Sequence, residues 1–198
     1  MRFTRTEKPT KEPITVGDAV KHLQIDYQAD SGTITELIGV ARGKIEDETG
    51  YVLMDSEWLG VTHEWVPDTG ANGIELGIAP VTEITSIKYY ADGETVLTTV
   101  SESLYSLCAG NDRSPALIVL SDDFTFPSLA IRPDAVQITF RAGSVNPVDV
   151  PPSLRHAIRL IVRHFHDRRE VVSEVKLNEI PMNAQSLMGN YRVCGWVN

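Results

Sequence analysis

Apolar positions recur every three to four residues in two segments near the start of the chain, which predicts two amphipathic helices. The first segment is residues 14–25, in which Thr15 is the predicted N-cap and Asp18 takes the capping-box position. The second helix, over residues 31–49, is followed by Gly50, a residue suited to the left-handed position after a helix. Its apolar stripe consists of Ile34, Leu37, Ile38, Ala41 and Ile45. Two helices joined by a polar turn predict an αα-hairpin.

The spacing changes from helical to alternating in the middle of the chain. Residues 84–90 alternate, and Ala91-Asp92-Gly93 is typical of a hairpin turn before the next strand. Further short apolar segments, punctuated by prolines, lie at 104–108, 116–120 and 135–140. We therefore predict an antiparallel β subdomain over residues 51–146, inserted between helical segments.

A third amphipathic helix begins near Pro151 and Pro152, since proline is favoured at the first helical position. Its predicted buried stripe consists of Leu154, Ile158, Ile161 and Phe165. The pattern as a whole predicts an α+β fold with a short last helix over 183–190. Its predicted parts are a flexible arm (1–13), a helical core (14–50 and 147–190), the inserted β subdomain (51–146) and a C-terminal docking tail (191–198).

Composition and charge exclude several classes of function. A chain of 198 residues with a net charge of −9 is a poor general binder of nucleic acid, because phosphate contacts need positive surface. No apolar run approaches the roughly 20 residues that cross a bilayer, and the polar start predicts a cytoplasmic compartment. Cys108 and Cys194 lack Cys-x-x-Cys spacing, so we expect reduced thiols and no metal site. Nucleophile and nucleotide-binding motifs are absent, so we expect no cofactor.

The stretch RHFHDRRE, residues 163–170, contains the residue types of a metal or acid–base site. If the helix continues through this stretch, His164 and His166 point about 200° apart and cannot hold one ion. Helical metal pairs use spacings of three or four residues. A structural helix end is therefore favoured, and a metal-dependent hydrolase using His164, His166 and Asp167 remains the alternative.

Three arginines follow one another at steps of four on the face opposite the apolar stripe of the third helix. Three interpretations stay open: a solvated face, an interface in which guanidinium groups bind a neighbour's carboxylates, and contact with nucleic-acid phosphate. The predicted inter-subunit interface consists of Arg155, Arg159, Arg163, His166, Asp167, Arg168 and Arg169.

The last eight residues carry Tyr191 and Trp196 in a segment too short for a core of its own. Such an apolar tail packs on its own domain or docks on another chain, and aromatic residues are typical interface anchors. We favour docking on a partner.

The order of several segments resembles the head–tail connector proteins (adaptor, or head-completion proteins) of long-tailed phages and gene-transfer agents. The matching segments are "ITVGDAVKHLQID", "ARGKIEDETGYVL", "APVTEITSIKYYADGE", "VQITFRAGS", "VPPSLRHAIRLIVRHFHDRREVV" and "YRV". Together they extend from about residue 14 to residue 193. The ending GWVN and the arm 1–13 depart from the pattern.

This resemblance implies a structural role with no enzymatic activity, on a helical connector core. It implies an oligomeric ring, typically dodecameric, which binds the portal protein, extends the DNA channel and offers a platform for the next neck or tail-completion protein. The expected location is the virion neck, assembled in the host cytoplasm. The portal-facing residues would be Tyr191, Arg192, Val193 and Trp196. An acidic channel wall would let DNA pass without sequence-specific binding.

Overall fold

The computed structural model describes residues 1–24, 27–65, 73–110, 114–168 and 180–193, and at residues 27–30 and 168 it describes the backbone. Within these ranges the chain forms four α-helices and two antiparallel sheets, which confirms the predicted α+β class. The chain divides into two compact units. The β unit contains Met1–Pro9 and Asp55–Gly143 together with Val193, and the helical unit contains Thr10–Met54 and Ser144–Arg192.

The β unit contains one five-stranded and one three-stranded sheet, whereas the sequence indicated only a single β subdomain. The strands are β1 (Arg2–Arg5), β2 (Ser56–Thr62), β3 (Gly73–Leu76), β4 (Val81–Tyr90), β5 (Leu97–Thr99), β6 (Tyr105–Cys108), β7 (Ala116–Leu120) and β8 (Val136–Ala142). The larger sheet has the order β1-β2-β8-β4-β5, and the smaller has the order β3-β7-β6. All of these neighbours pair antiparallel.

Strand β8 lies at the centre of the larger sheet, and alternate side chains along it are buried. The buried residues are Val136, Ile138, Phe140 and Ala142. Phe140 lies opposite Trp58 on β2 and opposite Ile84 on β4. The predicted hairpin between β4 and β5 is confirmed, since Gly93 has a φ of 76° and the Glu94 N–H donates to the Ala91 carbonyl at 2.9 Å.

The start of the chain corrects the flexible arm predicted over residues 1–13. Strand β1 pairs in register with β2, from Arg2 opposite Val61 to Arg5 opposite Trp58. Apolar contact holds it there, because the Phe3 ring packs edge-on against the Phe140 ring with centroids 6.0 Å apart. A four-residue strand is too short for its alternation to be recognised as a period in the sequence.

The helical unit consists of α1 (Val16–Leu23), α2 (Tyr27–Thr49), α3 (Pro152–Arg168) and α4 (Met182–Met188). The capping box is confirmed, because the Asp18 N–H donates to Thr15 Oγ1 at 3.0 Å and the Thr15 N–H donates to Asp18 Oδ2 at 3.2 Å. Gly50 has a φ of 70° after α2, as expected of a left-handed residue at that position. Helix α2 begins four residues earlier than predicted, and part of the predicted turn before it lies outside the described residues.

The core of the helical unit forms where α2 packs against α3. The side chains that supply it are fully buried: Ile34, Ile38, Ala41 and Ile45 from α2, and Leu154, Ala157, Ile158 and Ile161 from α3. Burying each large aliphatic side chain stabilises the fold by about 1.5–3 kcal/mol. Leu37, at the edge of the α2 stripe, and Phe165, at the C-terminal end of the α3 stripe, are only half-buried, so the α2 stripe is narrower and the α3 stripe shorter than predicted. Of the helices described, none combines the length and the apolar content needed to cross a membrane.

Candidate functional site: the basic row of helix α3

Helix α3 carries a line of cations, which we call the basic row: Arg155, Arg159 and Arg163. Steps of four residues keep the three side chains within an arc of about 80° on the helix surface. The buried stripe that begins at Leu154 and continues through Ile158 and Ile161 anchors α3 to the core and turns the basic row away from it. The sequence prediction that these arginines share one face is therefore met by the helix geometry.

Among the described residues, two of the three arginines of the basic row lack a carboxylate partner. Arg163 Nε lies 3.4 Å from Asp167 Oδ2, but both side chains are more than half exposed, so this pair contributes little stability. In the part of the chain that the structure describes, no carboxylate oxygen lies within 4 Å of Arg155 or Arg159. The Nε of Arg155 is buried and has no hydrogen-bond partner. A buried N–H without an acceptor is unfavourable, so the Nε of Arg155 costs the protomer some stability.

Helix α1 lies along the basic row and adds a histidine to it. The rings of His22 and His156 meet edge to face with centroids 5.9 Å apart. Burial lowers the pKa of His22, and its electrostatic interactions with His156, Arg159 and Arg163 lower that pKa further. The concentration of positive charge at this contact thus favours a neutral His22.

Asp18, in the first turn of α1, lies close enough to the basic row for the arginines to affect its pKa. The hydroxyl and the backbone N–H of Thr15 lower the pKa of Asp18, and the positive charges of Arg159 and Arg155 lower it further. The carboxylate of Asp18 is already used in the capping box, with the Thr15 hydroxyl donating to Asp18 Oδ2 at 2.9 Å. Its negative charge therefore offsets part of the positive charge of the basic row, although among the described residues it forms no ion pair with a guanidinium.

Arg42 on α2 shows the opposite arrangement within the same unit. Its guanidinium lies 2.8 Å from Glu12 Oε2 and 3.0 Å from Glu46 Oε2, and its side chain is 12% exposed. Burial opposes the charge of Arg42, but the hydrogen bonds and charges of Glu12 and Glu46 outweigh it and raise the pKa of Arg42. Glu46 is buried and also accepts the Leu53 N–H at 3.0 Å. The sequence analysis missed this cluster, although the spacing of Arg42 and Glu46 by four residues is a signal for it.

The described part of the histidine stretch places its two histidines on different sides of α3. Helix α3 continues through Arg168, so His164 and His166 diverge by about 200° as expected. The His164 ring lies against Phe165, with centroids 5.8 Å apart, and His166 Nδ1 lies 3.8 Å from Asp167 Oδ1. Across the described ranges, no group of three or more His, Cys, Asp or Glu side chains is placed to hold an ion. The hydrolase alternative therefore lacks a third ligand there.

The predicted tail residues pack on their own chain as far as the structure describes them. The Tyr191 ring meets the Tyr51 ring edge to face, with centroids 5.6 Å apart. Arg192 is exposed, and its Nε donates to the Glu48 carbonyl at 3.3 Å. Val193 is buried, so its side chain is not on the protomer surface.

Arg192 also lines a cavity of about 210 Å³ between the end of α2 and α4. The other residues around it are Glu48, Thr49, Gln185, Met188 and Gly189. Trp196 and Arg169 from the predicted sites lie outside the described residues, as does the side chain of Arg168.

The fold of the whole chain is found in other solved structures. No protein-family profile matches the sequence, and no curated protein matches it. Among solved structures, the chain is similar to a chain in the neck of an empty gene transfer agent particle computed with C6 symmetry. The TM-score is 0.77 at 18% identity, over 100% of this chain and 98% of that chain.

Two further solved structures show the same full-length likeness. One is the virion of a native gene transfer agent particle, with a TM-score of 0.75, 16% identity and coverage of 100% and 98%. The other is the neck of a native particle computed with C12 symmetry, with a TM-score of 0.74, 18% identity and the same coverage. At these identities the likeness establishes the fold. The predicted resemblance to connector proteins of gene-transfer agents is thereby confirmed at the level of fold.

Proposed function

We propose that this chain is a structural neck protein of a virion-like particle, an oligomeric ring adaptor built on a helical connector core. The observation that carries the proposal is the fold shared along the whole chain with chains of gene transfer agent particles, two of them neck structures. The likeness extends over 98% of those chains, so it includes both the helical and the β unit.

A closed ring requires two different faces on each protomer, which meet head to tail around the axis. The neighbouring structures were computed with sixfold and twelvefold symmetry, which supports a ring, and we propose a dodecamer. The basic row supplies one face of the proposed contact, because Arg155 and Arg159 have no carboxylate partner among the described residues. His166, Asp167, Arg168 and Arg169 extend the same proposed interface towards the end of α3.

The proposed ring binds the portal protein through the C-terminal tail, extends the DNA channel and carries the next neck or tail-completion protein. Arg192 is exposed and is suited to a direct portal contact, together with Tyr191 and Trp196. Val193 is buried, so its proposed contribution is to position the tail. The net charge of −9 supports a channel through which DNA passes without being captured by its phosphates.

Negative-stain imaging of the full chain, alone and with its portal protein, tests the ring. We expect closed rings stacked on the portal, whereas monomers under both conditions would refute the proposal. The portal contact is tested by a truncation that removes residues 194–198, which keeps the Tyr191–Tyr51 contact and the buried Val193. We expect the truncated protomer to fold and to lose portal binding. Unchanged binding by both this truncation and Arg192→Glu would refute the role of the tail.

A further inference from the structure

Two connecting segments of the β unit lie side by side and form one exposed surface. The first is the turn between β4 and β5, residues 91–96, and the second is the connection from β7 to β8, residues 121–134. The Asp92 N–H donates to the Ser128 carbonyl at 3.0 Å, which joins the two segments. We call residues 91–96 and 121–134 the acidic loop surface.

The acidic loop surface exposes apolar side chains beside a recess. Val96, Phe126 and Ile131 are exposed, and Ile131 is fully so. A recess of about 460 Å³ lies next to Ile131. It is lined by His63, Leu129, Ala130, Ile131, Arg132 and Pro133. An exposed apolar area with a polar rim is typical of a site that binds another protein.

Aromatic rings beneath the acidic loop surface hold it in one conformation. The Trp65 ring packs against the rings of Phe124 and Phe126, with centroids 5.4 and 6.0 Å away. Trp65 Nε1 also donates to the Pro127 carbonyl at 3.1 Å. A surface that is ordered before it binds loses little conformational freedom on binding, so this one is suited to a stable contact.

Four exposed carboxylates give the acidic loop surface its charge: Asp92, Glu94, Asp122 and Asp123. In the part of the chain that the structure describes, none of the four forms an ion pair. The segments that build the surface contain a single basic residue, Arg132. The balance of charge therefore depends on what Arg132 binds.

Arg132 is occupied within the protomer. Its Nε lies 2.7 Å from Asp134 Oδ1 and its Nη2 lies 2.8 Å from Asp134 Oδ2. The guanidinium carbon also lies 3.5 Å from the centre of the Tyr90 ring. The four other carboxylates keep their charge, so the surface repels nucleic-acid phosphate and attracts a basic protein segment.

We propose that the acidic loop surface binds the next neck or tail-completion protein, through a segment in which lysine or arginine flanks an apolar side chain. The apolar side chain enters the recess beside Ile131, and the basic side chains pair with the four carboxylates. This inference rests on the proposed neck function, in which the C-terminal tail binds the portal. A second copy of this chain is a poorer occupant, because its net charge of −9 has the same sign as the surface.

Removing the apolar anchor tests the proposal in rings of the full-length chain assembled on the portal protein. The probe is the purified next neck protein of the same particle, and its dissociation is followed by surface plasmon resonance. We expect Ile131→Ser to fold and form rings normally and to release the probe at least about tenfold faster. Val145→Ser, which replaces an exposed apolar side chain of the helical unit, is the control and should leave dissociation unchanged.

The carboxylates are tested through the association rate. Asp122→Asn and Asp123→Asn together should slow association about tenfold at low ionic strength, and the difference should vanish near about 0.5 M salt. Glu75→Gln with Glu83→Gln removes two exposed charges from strands of the same unit. This matched control should slow association by less than about twofold.

A photo-cross-linker identifies the occupant independently of affinity. Ile131→Cys is made in a chain whose Cys108 and Cys194 are replaced by serine, and the new thiol is labelled with benzophenone maleimide. After irradiation of the ring with the probe, we expect mass spectrometry to show one protomer bonded to one next neck protein.

The possible outcomes separate this surface from the neck function itself. Native-like kinetics in both Ile131→Ser and the Asp122 and Asp123 variant would overturn the proposed contact and leave the neck function in place. A cross-link to a second copy or to the portal protein would overturn it as well. If the native chain forms no ring, or its ring does not bind the probe, the neck function fails and this inference fails with it.

Discussion

Arg42 on α2 and the basic row on α3 differ in the carboxylates that the described residues place around them. Arg42 is enclosed by Glu12 and Glu46 of its own chain, whereas Arg155 and Arg159 have no carboxylate within 4 Å among the residues described. Arg42 is four residues from Glu46, and the arginines of the basic row are four residues apart, so the sequence pattern alone does not distinguish them. The difference indicates that Arg42 stabilises the protomer, whereas in the proposed ring the basic row binds a neighbour.

Loss of Arg42 gives the largest expected effect on protomer stability. Arg42→Met leaves the carboxylate of Glu46 buried without its guanidinium, and breaking a buried ion pair from one side costs about 3–5 kcal/mol. Urea denaturation followed by circular dichroism measures the change. A loss below about 1 kcal/mol, the range of an exposed ion pair, would contradict the stabilising role of Arg42 in the protomer.

Acid should weaken the contact between α1 and the basic row. The folded-state pKa of His22 is lowered from its ordinary value near 6.5, so the unfolded chain binds the proton first as the pH falls. We therefore expect the contribution of His22 to be unchanged above about pH 7 and stability to fall as the pH drops through 6.5, by at most about 1.4 kcal/mol per pH unit.

Thermal unfolding between pH 5 and pH 8 checks this effect. His22→Gln should flatten the slope, and Lys21→Gln, a change of charge elsewhere on α1, should leave it as it is. An unchanged slope in His22→Gln would show that acid acts on other groups.

Gly43→Ala should stabilise the protomer. The added methyl group meets no atom of the described residues within 4 Å and improves helix propensity, so we expect the protomer to gain about 0.5–1 kcal/mol, measured by urea denaturation. Gly73→Ala is the contrasting control, because its Cβ would lie 2.7 to 2.9 Å from the Leu117 side chain and should destabilise the protomer. A less stable Gly43→Ala protomer would contradict the open space around Gly43 among the described residues.

Arg159→Met should have the smallest effect on the protomer. With no ion pair to lose among the described residues, its free energy of unfolding should change by less than about 0.5 kcal/mol. The same change should reduce ring assembly, as seen by native mass spectrometry with the portal protein. A protomer destabilised as much as Arg42→Met would show that the basic row serves the fold.

Local signals were sufficient for much of the secondary structure. Thr15 with Asp18, Gly50 and Gly93 each determine a cap or a turn through their own hydrogen bonds or backbone angles, so their sequence positions predict the geometry directly. The alternation of residues 135–140 predicts a strand, which the structure has as β8, but not its central place in the sheet.

Long-range pairing explains what the sequence could not predict. Strand β1 is held by β2, more than 50 residues away, and its four residues carry no period of their own. The candidate site, too, was predictable only in part. Spacing placed the three arginines of α3 on one face, but only the fold shows that Arg42 is buried against Glu12 and Glu46 and that Arg159 is not paired. Trp196 and Arg169 lie beyond the residues described and stay predictions.

The order of the strands has a consequence for the synthesis of the chain on the ribosome. Ser56 on β2 is paired with Ala142 on β8, and α2 packs against α3, which ends at Arg168. Each unit therefore receives its central partner only after most of the chain has been made, and pairings this distant in sequence fold slowly. A nascent chain stopped before β8 exposes one edge of β2 and the apolar stripe of α2 together. Such surfaces aggregate readily, so interrupted translation should yield insoluble fragments in place of a folded half.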